Sequence, residues 1–112
     1  MTTTAVARLS RDAGHGRPAA PVRIVHLGVG NFFRAHQAWY TEHAADAAEW
    51  GIAAFTGRSA AMADALRPQG GLYTLVTKGT DEDSYEVISS LSAVHAAGEH
   101  AALLDYFLSP AL

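Results

Sequence analysis

An α/β fold built on a parallel sheet is what this sequence predicts, on three observations. Short apolar runs, the first rich in β-branched residues, alternate with alanine-rich stretches of helical spacing. The first run passes through a Gly-x-Gly turn directly into such a helical stretch. Glycine, proline and polar clusters fall at the joints between runs.

Residues 1–21 (MTTTAVARLSRDAGHGRPAAP) are expected to form a mobile leader, because Gly14, Gly16, Pro18 and Pro21 oppose regular structure. They hold no continuous apolar stretch and so fail as a secretory signal. Residues 22–112 are expected to be the N-terminal part of one domain. Val22–Leu27 (VRIVHL), bounded by Pro21 and Gly28, reads as a buried parallel strand. One helix is predicted over residues 32–49, where Phe32, Ala35, Trp39, His43 and Asp46 recur at spacings of three and four, up to Trp50. Gly51 stops it. Residues 51–56 (GIAAFT) read as a second strand. Ser59 is suited to cap a short helix through Leu66, and Pro68 forbids a longer one.

After the turn Gln69-Gly70-Gly71, residues 72–78 and 85–91 are strand-like and are joined by the polar turn 79–84 as a hairpin. A last helix is predicted over residues 99–108, with Leu103, Leu104, Phe107 and Leu108 on one side. A helix of this kind normally leads into another parallel strand, so the domain is expected to be incomplete at Leu112.

Composition narrows the function. Hydrophobic residues make up 49% of the chain, which argues for a packed core. Eight basic and eleven acidic residues leave a net charge of −3, with no electrostatic footprint for nucleic acid or an anionic membrane. No apolar run approaches the roughly 20 residues of a membrane helix. The absence of cysteine excludes disulfides, thiolate nucleophiles and thiolate metal sites, and suits the expected cytoplasmic location.

The informative segment is IVHLGVGNFFRAHQAWY, from Ile24 to Tyr40. A dinucleotide site needs a strand that turns sharply into a helix whose free backbone N–H groups face the pyrophosphate. Gly28 supplies the tight turn, Val29 links the two glycines, and Gly30 lets a phosphate approach the backbone. Asn31, Phe32 and Phe33 then present their amides. Arg34 stands in the first helical turn, where the helix dipole disfavours a cation and a bound anion would offset the cost. The fold class is therefore a partial Rossmann-like doubly wound sheet. The third glycine of the usual fingerprint is missing, and Phe33 stands there.

GVGNFFRAHQAWYT resembles the N-terminal signature of the polyol-specific long-chain dehydrogenases, the mannitol dehydrogenase and fructuronate reductase family. Gly28, Gly30, Phe32, Arg34, Ala35, His36 and Gln37 match its G-x-G-x-F-x-R-A-H-Q block. The resemblance continues through Trp50-Gly51-Ile52 and through Gly71-Leu72-Tyr73-Thr74-Leu75-Val76, and Phe33 departs from the histidine often seen in that block. It implies a longer two-domain parent enzyme that moves hydride between NAD or NADP and a sugar alcohol, ketose or sugar acid such as a hexuronate. It also implies a catalytic K-x4-N-x2-H pattern in a separate helical domain. Lys78 is the single lysine here and Asp83 stands at the asparagine position, so no catalytic residue is expected in this stretch. The alternative is a non-catalytic nucleotide-binding or regulatory domain that keeps only the Gly28–Gly30 turn.

NAD is distinguished from NADP at the end of the second strand, where a carboxylate holds a ribose 2′-hydroxyl and an arginine takes a 2′-phosphate. Here the sequence is Phe55-Thr56-Gly57-Arg58-Ser59, with Arg58 as the candidate and no carboxylate. The bland alternative makes Arg58 a solvated loop residue and Ser59 a cap. No metal site is expected: His36 and His43 lack a third ligand, and Asp81, Glu82 and Asp83 read as a solvated turn. His26 is expected to be buried in the first strand, and His36 to be packed or hydrogen-bonded near the cofactor. Trp39, Tyr40 and Trp50 are expected to pack a helix on the sheet. His95 and His100 are given no role.

Overall fold

The computed structural model describes residues 8–112, so the first seven residues of the expected leader lie outside the described residues. The ordered part is β1 (Val22–Leu27), α1 (Asn31–Ala35), α2 (Gln37–Glu42), β2 (Gly51–Phe55), α3 (Ala61–Leu66), β3 (Tyr73–Thr77), β4 (Ser84–Ile88), β5 (Leu91–His95) and α4 (His100–Leu108). Strands β1, β2 and β5 form a parallel sheet in that order, and β3 and β4 form a separate antiparallel hairpin. Every residue of the central strand β2 is buried, while β1 at the sheet edge is half-buried. That difference explains why GIAAF is wholly apolar or small. The core gathers Val29, Phe33, Ala38, Ile52, Leu66, Tyr73, Ile88, Leu91 and Val94 from both sheets and the helices between them.

Several elements differ from the sequence expectation. The helix expected over residues 32–49 is broken into α1, α2 and a 3-10 turn at Ala47–Glu49. The break falls at His36, whose backbone (φ −120°, ψ −81°) leaves the helical region. The His36 ring lies with Nδ1 2.8 Å from the Phe32 carbonyl, and the His36 amide turns to the carbonyls of Phe32 and Phe33. The buried face is also a neighbouring one. Phe33, Ala38, Glu42 and Ala47 point inward, whereas Phe32 is 68% exposed and Tyr40 62%.

The strand expected over residues 85–91 is two strands. Chain direction changes at the buried pair Ser89-Ser90, where the hairpin ends and the Ser90 carbonyl accepts from the Ile52 amide at 2.9 Å. Beyond them, β5 becomes the third parallel strand. Its last four residues lie beyond the strand expected over residues 85–91, and no separate strand is expected there. Gly71 helps place the hairpin: its φ is +84°, and a Cβ there would meet the Leu91 carbonyl oxygen at 2.5 Å.

The expected leader carries no helix or strand from Arg8 to Pro21, as its glycines and prolines imply, yet it is attached. Arg11 donates to the carbonyls of Gly70, Ser89 and Leu91, the last at 2.7 Å, and Arg17 pairs with Glu42 at 2.9 Å.

The α4 helix buries no residue, and Leu104, Phe107 and Leu108 are 61%, 60% and 82% exposed. Leu108→Glu is therefore expected to change stability by less than about 0.5 kcal/mol. Chemical unfolding of the 112-residue chain checks this; a loss above about 1 kcal/mol would mean that Leu108 has cover in solution.

Candidate functional site

The Gly-x-Gly turn lies at the carboxyl edge of the parallel sheet, where ligands of open α/β sheets bind. The registers Leu27 to Phe55 and Phe55 to His95 bring the ends of β1, β2 and β5 level. The Gly28 amide donates to the Phe55 carbonyl at 2.7 Å, which ties the turn to β2. Gly28 has φ +118°, a conformation that requires glycine, and His26 Nδ1 lies 3.0 Å from its carbonyl oxygen. Gly30 is extended (φ −80°, ψ 177°), and a Cβ built on it meets nothing within 4 Å. The space before Gly30 is open.

Gly28, Val29, Gly30, Asn31, Phe32, Phe33 and Arg34 form one continuous turn and helix start, as predicted, but with different roles. The side chains of Val29 and Phe33 belong to the core, so only their backbones face the turn. Phe33 stacks on the half-buried His26 ring at 3.9 Å, filling the place where the usual fingerprint has glycine. The first amides of α1, those of Asn31, Phe32 and Phe33, precede the first intrahelical donor, Arg34, which bonds to Gly30 at 3.1 Å. No side chain caps this helix start. The site thus offers three amides beside an open space, which fits a pyrophosphate.

Arg34 makes its contacts within the turn. Its guanidinium folds back to the Asn31 side chain and, at 3.4 Å, to the Gly30 carbonyl. Neither partner is acidic, so these contacts supply no counter-charge.

Arg58 is exposed on the loop after β2, three residues beyond Phe55, and no acidic residue occupies positions 56–60. Ser59 is a cap of a kind: its hydroxyl accepts from the Ala61 amide at 3.1 Å, one residue later than the expected helix start. Beside it Thr56 is buried, and its hydroxyl has no hydrogen-bond partner among the described residues.

At the end of β5, His95 takes part in a network that the sequence reading missed. Its ring stacks on Phe55 at 4.8 Å, with Nδ1 3.1 Å from Glu99 and Nε2 2.7 Å from the Tyr106 hydroxyl. The Ala96 amide, His95 and Arg67 together hold the Glu99 carboxyl at about 2, well below its usual value. Burial and the Glu99 charge push the Tyr106 hydroxyl up. Spacing alone carried one signal for this cluster, a histidine and a glutamate four residues apart at a strand-to-helix joint.

His36 is half-buried and stacks on Phe32 at 4.0 Å. Trp39 packs on the core and donates to Glu86, but Trp50 lies under Arg23 and donates to Asp46. Asp83 pairs with Lys78 on an exposed turn. Among the described residues, no group of three or more His, Asp or Glu side chains is arranged to hold a metal ion. No helix among them is long and apolar enough to cross a membrane.

The profile of the mannitol dehydrogenase Rossmann domain matches residues 22–112. The chain belongs to the mannitol dehydrogenase family. It is 40% identical over 96 residues to the D-mannonate oxidoreductase of Escherichia coli K12, covering 80% of this chain and 19% of that protein. It is 43% identical over 94 residues to the polyol:NADP oxidoreductase of Gluconobacter oxydans, covering 79% and 17%. Among solved structures, the Pseudomonas fluorescens mannitol 2-dehydrogenase, in ternary complex with NAD and D-mannitol, aligns with a TM-score of 0.72. That alignment has 36% identity and covers 83% of this chain and 20% of the other. A substrate-free D-sorbitol dehydrogenase aligns with a TM-score of 0.69, again at 36% identity, over 84% and 21%. The chain spans about a fifth of the length of these relatives. The Rossmann assignment made from the Gly28–Gly30 turn therefore holds.

Proposed function

We propose that this chain supplies the pyrophosphate-binding part of a nicotinamide-dependent oxidoreductase acting on a sugar alcohol, ketose or hexuronate. The observation that carries this reading is the open space before Gly30, bordered by the uncapped amides of Asn31, Phe32 and Phe33 at the sheet's carboxyl edge. NAD in one structural relative and NADP in the name of another support the cofactor class. When bound, the dinucleotide supplies the hydride acceptor or donor. The residues of this chain bind and orient it: the glycine turn admits the phosphates, and the amides of α1 donate to them. The 112 residues hold no K-x4-N-x2-H pattern, so proton transfer is assigned to other parts of the parent enzyme. A cysteine-free chain suits a cytoplasmic setting.

Cofactor choice rests on Arg58. An exposed guanidinium without a carboxylate in its loop suits a 2′-phosphate through charge-assisted hydrogen bonds. Arg58→Asp is expected to weaken NADPH by roughly tenfold or more, because an attraction worth about 1.5 kcal/mol is replaced by repulsion. NADH affinity should stay equal or improve, since a carboxylate accepts from a 2′-hydroxyl. Fluorescence titration of the 112-residue chain with each reduced cofactor makes the measurement. Equal losses for both cofactors would remove Arg58 from the ribose site. Failure of the unmodified chain to bind either cofactor would count against the reading itself.

A further inference from the structure

We infer that Tyr73 is a positioning residue for the phosphate-binding turn, holding the short helix α1 in place from the β3–β4 hairpin. The inference rests on the dinucleotide reading above and adds what keeps that site in shape.

A helix of five residues does not stand alone, because helix nucleation is unfavourable. Ending α1 at His36 also leaves its last carbonyls without intrahelical donors. The Tyr73 hydroxyl donates to one of them, the Arg34 carbonyl, at 2.6 Å. Tyr73 itself is 7% exposed, and its ring lies in the core with Phe33, Ala38 and Ile88. Most buried hydroxyls are hydrogen-bonded, and the acceptor that the Tyr73 hydroxyl finds belongs to a residue of the site.

The hairpin that carries Tyr73 is tied separately to the helix that follows. Trp39 donates to Glu86 at 3.2 Å, and His43 pairs with the same carboxylate at 2.6 Å. At the end of β4, the Ser89 amide and hydroxyl both donate to Glu42 at 2.7 Å, while Ser90 donates to the Ala38 carbonyl at 2.7 Å. The hairpin shares no ladder with the parallel sheet. It therefore acts as a brace behind α1 and α2, and Tyr73 is the member of the brace that reaches the helix carrying the phosphate amides.

The test is Tyr73→Phe in the 112-residue chain, with Gly30→Val beside it. Loss of one hydrogen bond is expected to weaken NADH by roughly three- to tenfold. It should also speed amide hydrogen exchange at Arg34 and His36 by a similar factor, with the amides of β2 unchanged. An affinity equal to that of the unmodified chain once the unfolded fraction is allowed for, or unchanged exchange at Arg34 and His36, overturns the inference. Gly30→Val separates the two readings. If it abolishes binding while Tyr73→Phe changes nothing, the cofactor site stands and the brace falls. If Gly30→Val leaves binding intact, or the unmodified chain does not bind NADH, the cofactor reading falls and hydrogen exchange alone decides the role of Tyr73.

Discussion

Gly30→Val is expected to weaken dinucleotide binding severely while leaving the protein folded. Gly30 is extended and faces open space, so a valine side chain there meets no protein atom within 4 Å of its Cβ. The cost to folding is the loss of a favourable helix N-cap residue, about 1 kcal/mol. The cost to binding is larger, because the branched side chain occupies the approach to the amides of Asn31, Phe32 and Phe33. Two lost charge-assisted bonds at about 1.5 kcal/mol each weaken binding by roughly 150-fold. Gly28→Val is not equivalent: with φ at +118°, any side chain is strained, and folding fails together with binding. Titration with NADH and with NADPH, beside a thermal melt, separates the two effects. A folded Gly30→Val chain with unchanged affinity for both cofactors would end the nucleotide-site assignment.

The parallel strands β1 and β2, the glycine turn and the hairpin were legible because each rests on a local rule. Apolar β-branched runs make strands, Gly-x-Gly makes the turn, and the polar stretch between residues 77 and 84 makes a hairpin. Some of the differences share a cause as well. They occur where long-range polar contacts decide the structure. Nothing in the sequence singles out Glu42 for burial, because a carboxylate is seldom buried. Its partners lie 47 and 25 residues away, and no spacing rule joins them. The same contact explains why the strand expected over residues 85–91 stops early: Ser89 is occupied with Glu42, and Ser90 with Ala38. Tyr73 was legible as part of a family-like phrase but not as a partner of Arg34, because nothing marks the end of α1 in an alanine-rich run except a histidine. At the site itself, the positions of Gly28 and Gly30 followed from the sequence. The hydrogen bonds of Arg34 within its own turn did not.

Glu42→Ala is expected to cost a large part of the stability of the chain. The Glu42 side chain is 8% exposed and accepts from the Ser89 amide and hydroxyl at 2.7 Å, and from Arg17 at 2.9 Å. Alanine leaves the Ser89 amide without its acceptor and releases the segment around Arg17. Arg17 is 42% exposed, so water takes over much of its charge and the ion pair itself adds little. The lost bonds to a buried charged acceptor and the orphaned amide together amount to about 3 kcal/mol. For a domain of this size, that is roughly 12–24 °C in the unfolding midpoint. Burial pushes the Glu42 carboxyl up, but the bonds from Ser89 and Arg17 outweigh it and hold the group below its ordinary value. A carboxyl with a depressed folded-state pKa stabilises the protein above its unfolded value, near 4.5, and the contribution fades as pH falls through the folded value. The unmodified chain should therefore lose stability as pH drops below about 4.5, and Glu42→Ala should remove Glu42's share of that slope. Glu42→Gln keeps an acceptor for the Ser89 amide and should fall between the two at pH 7. A midpoint shift under about 4 °C at pH 7 for Glu42→Ala, with an unaltered acid limb, would mean that Ser89 and Arg17 find equivalent partners without the carboxylate.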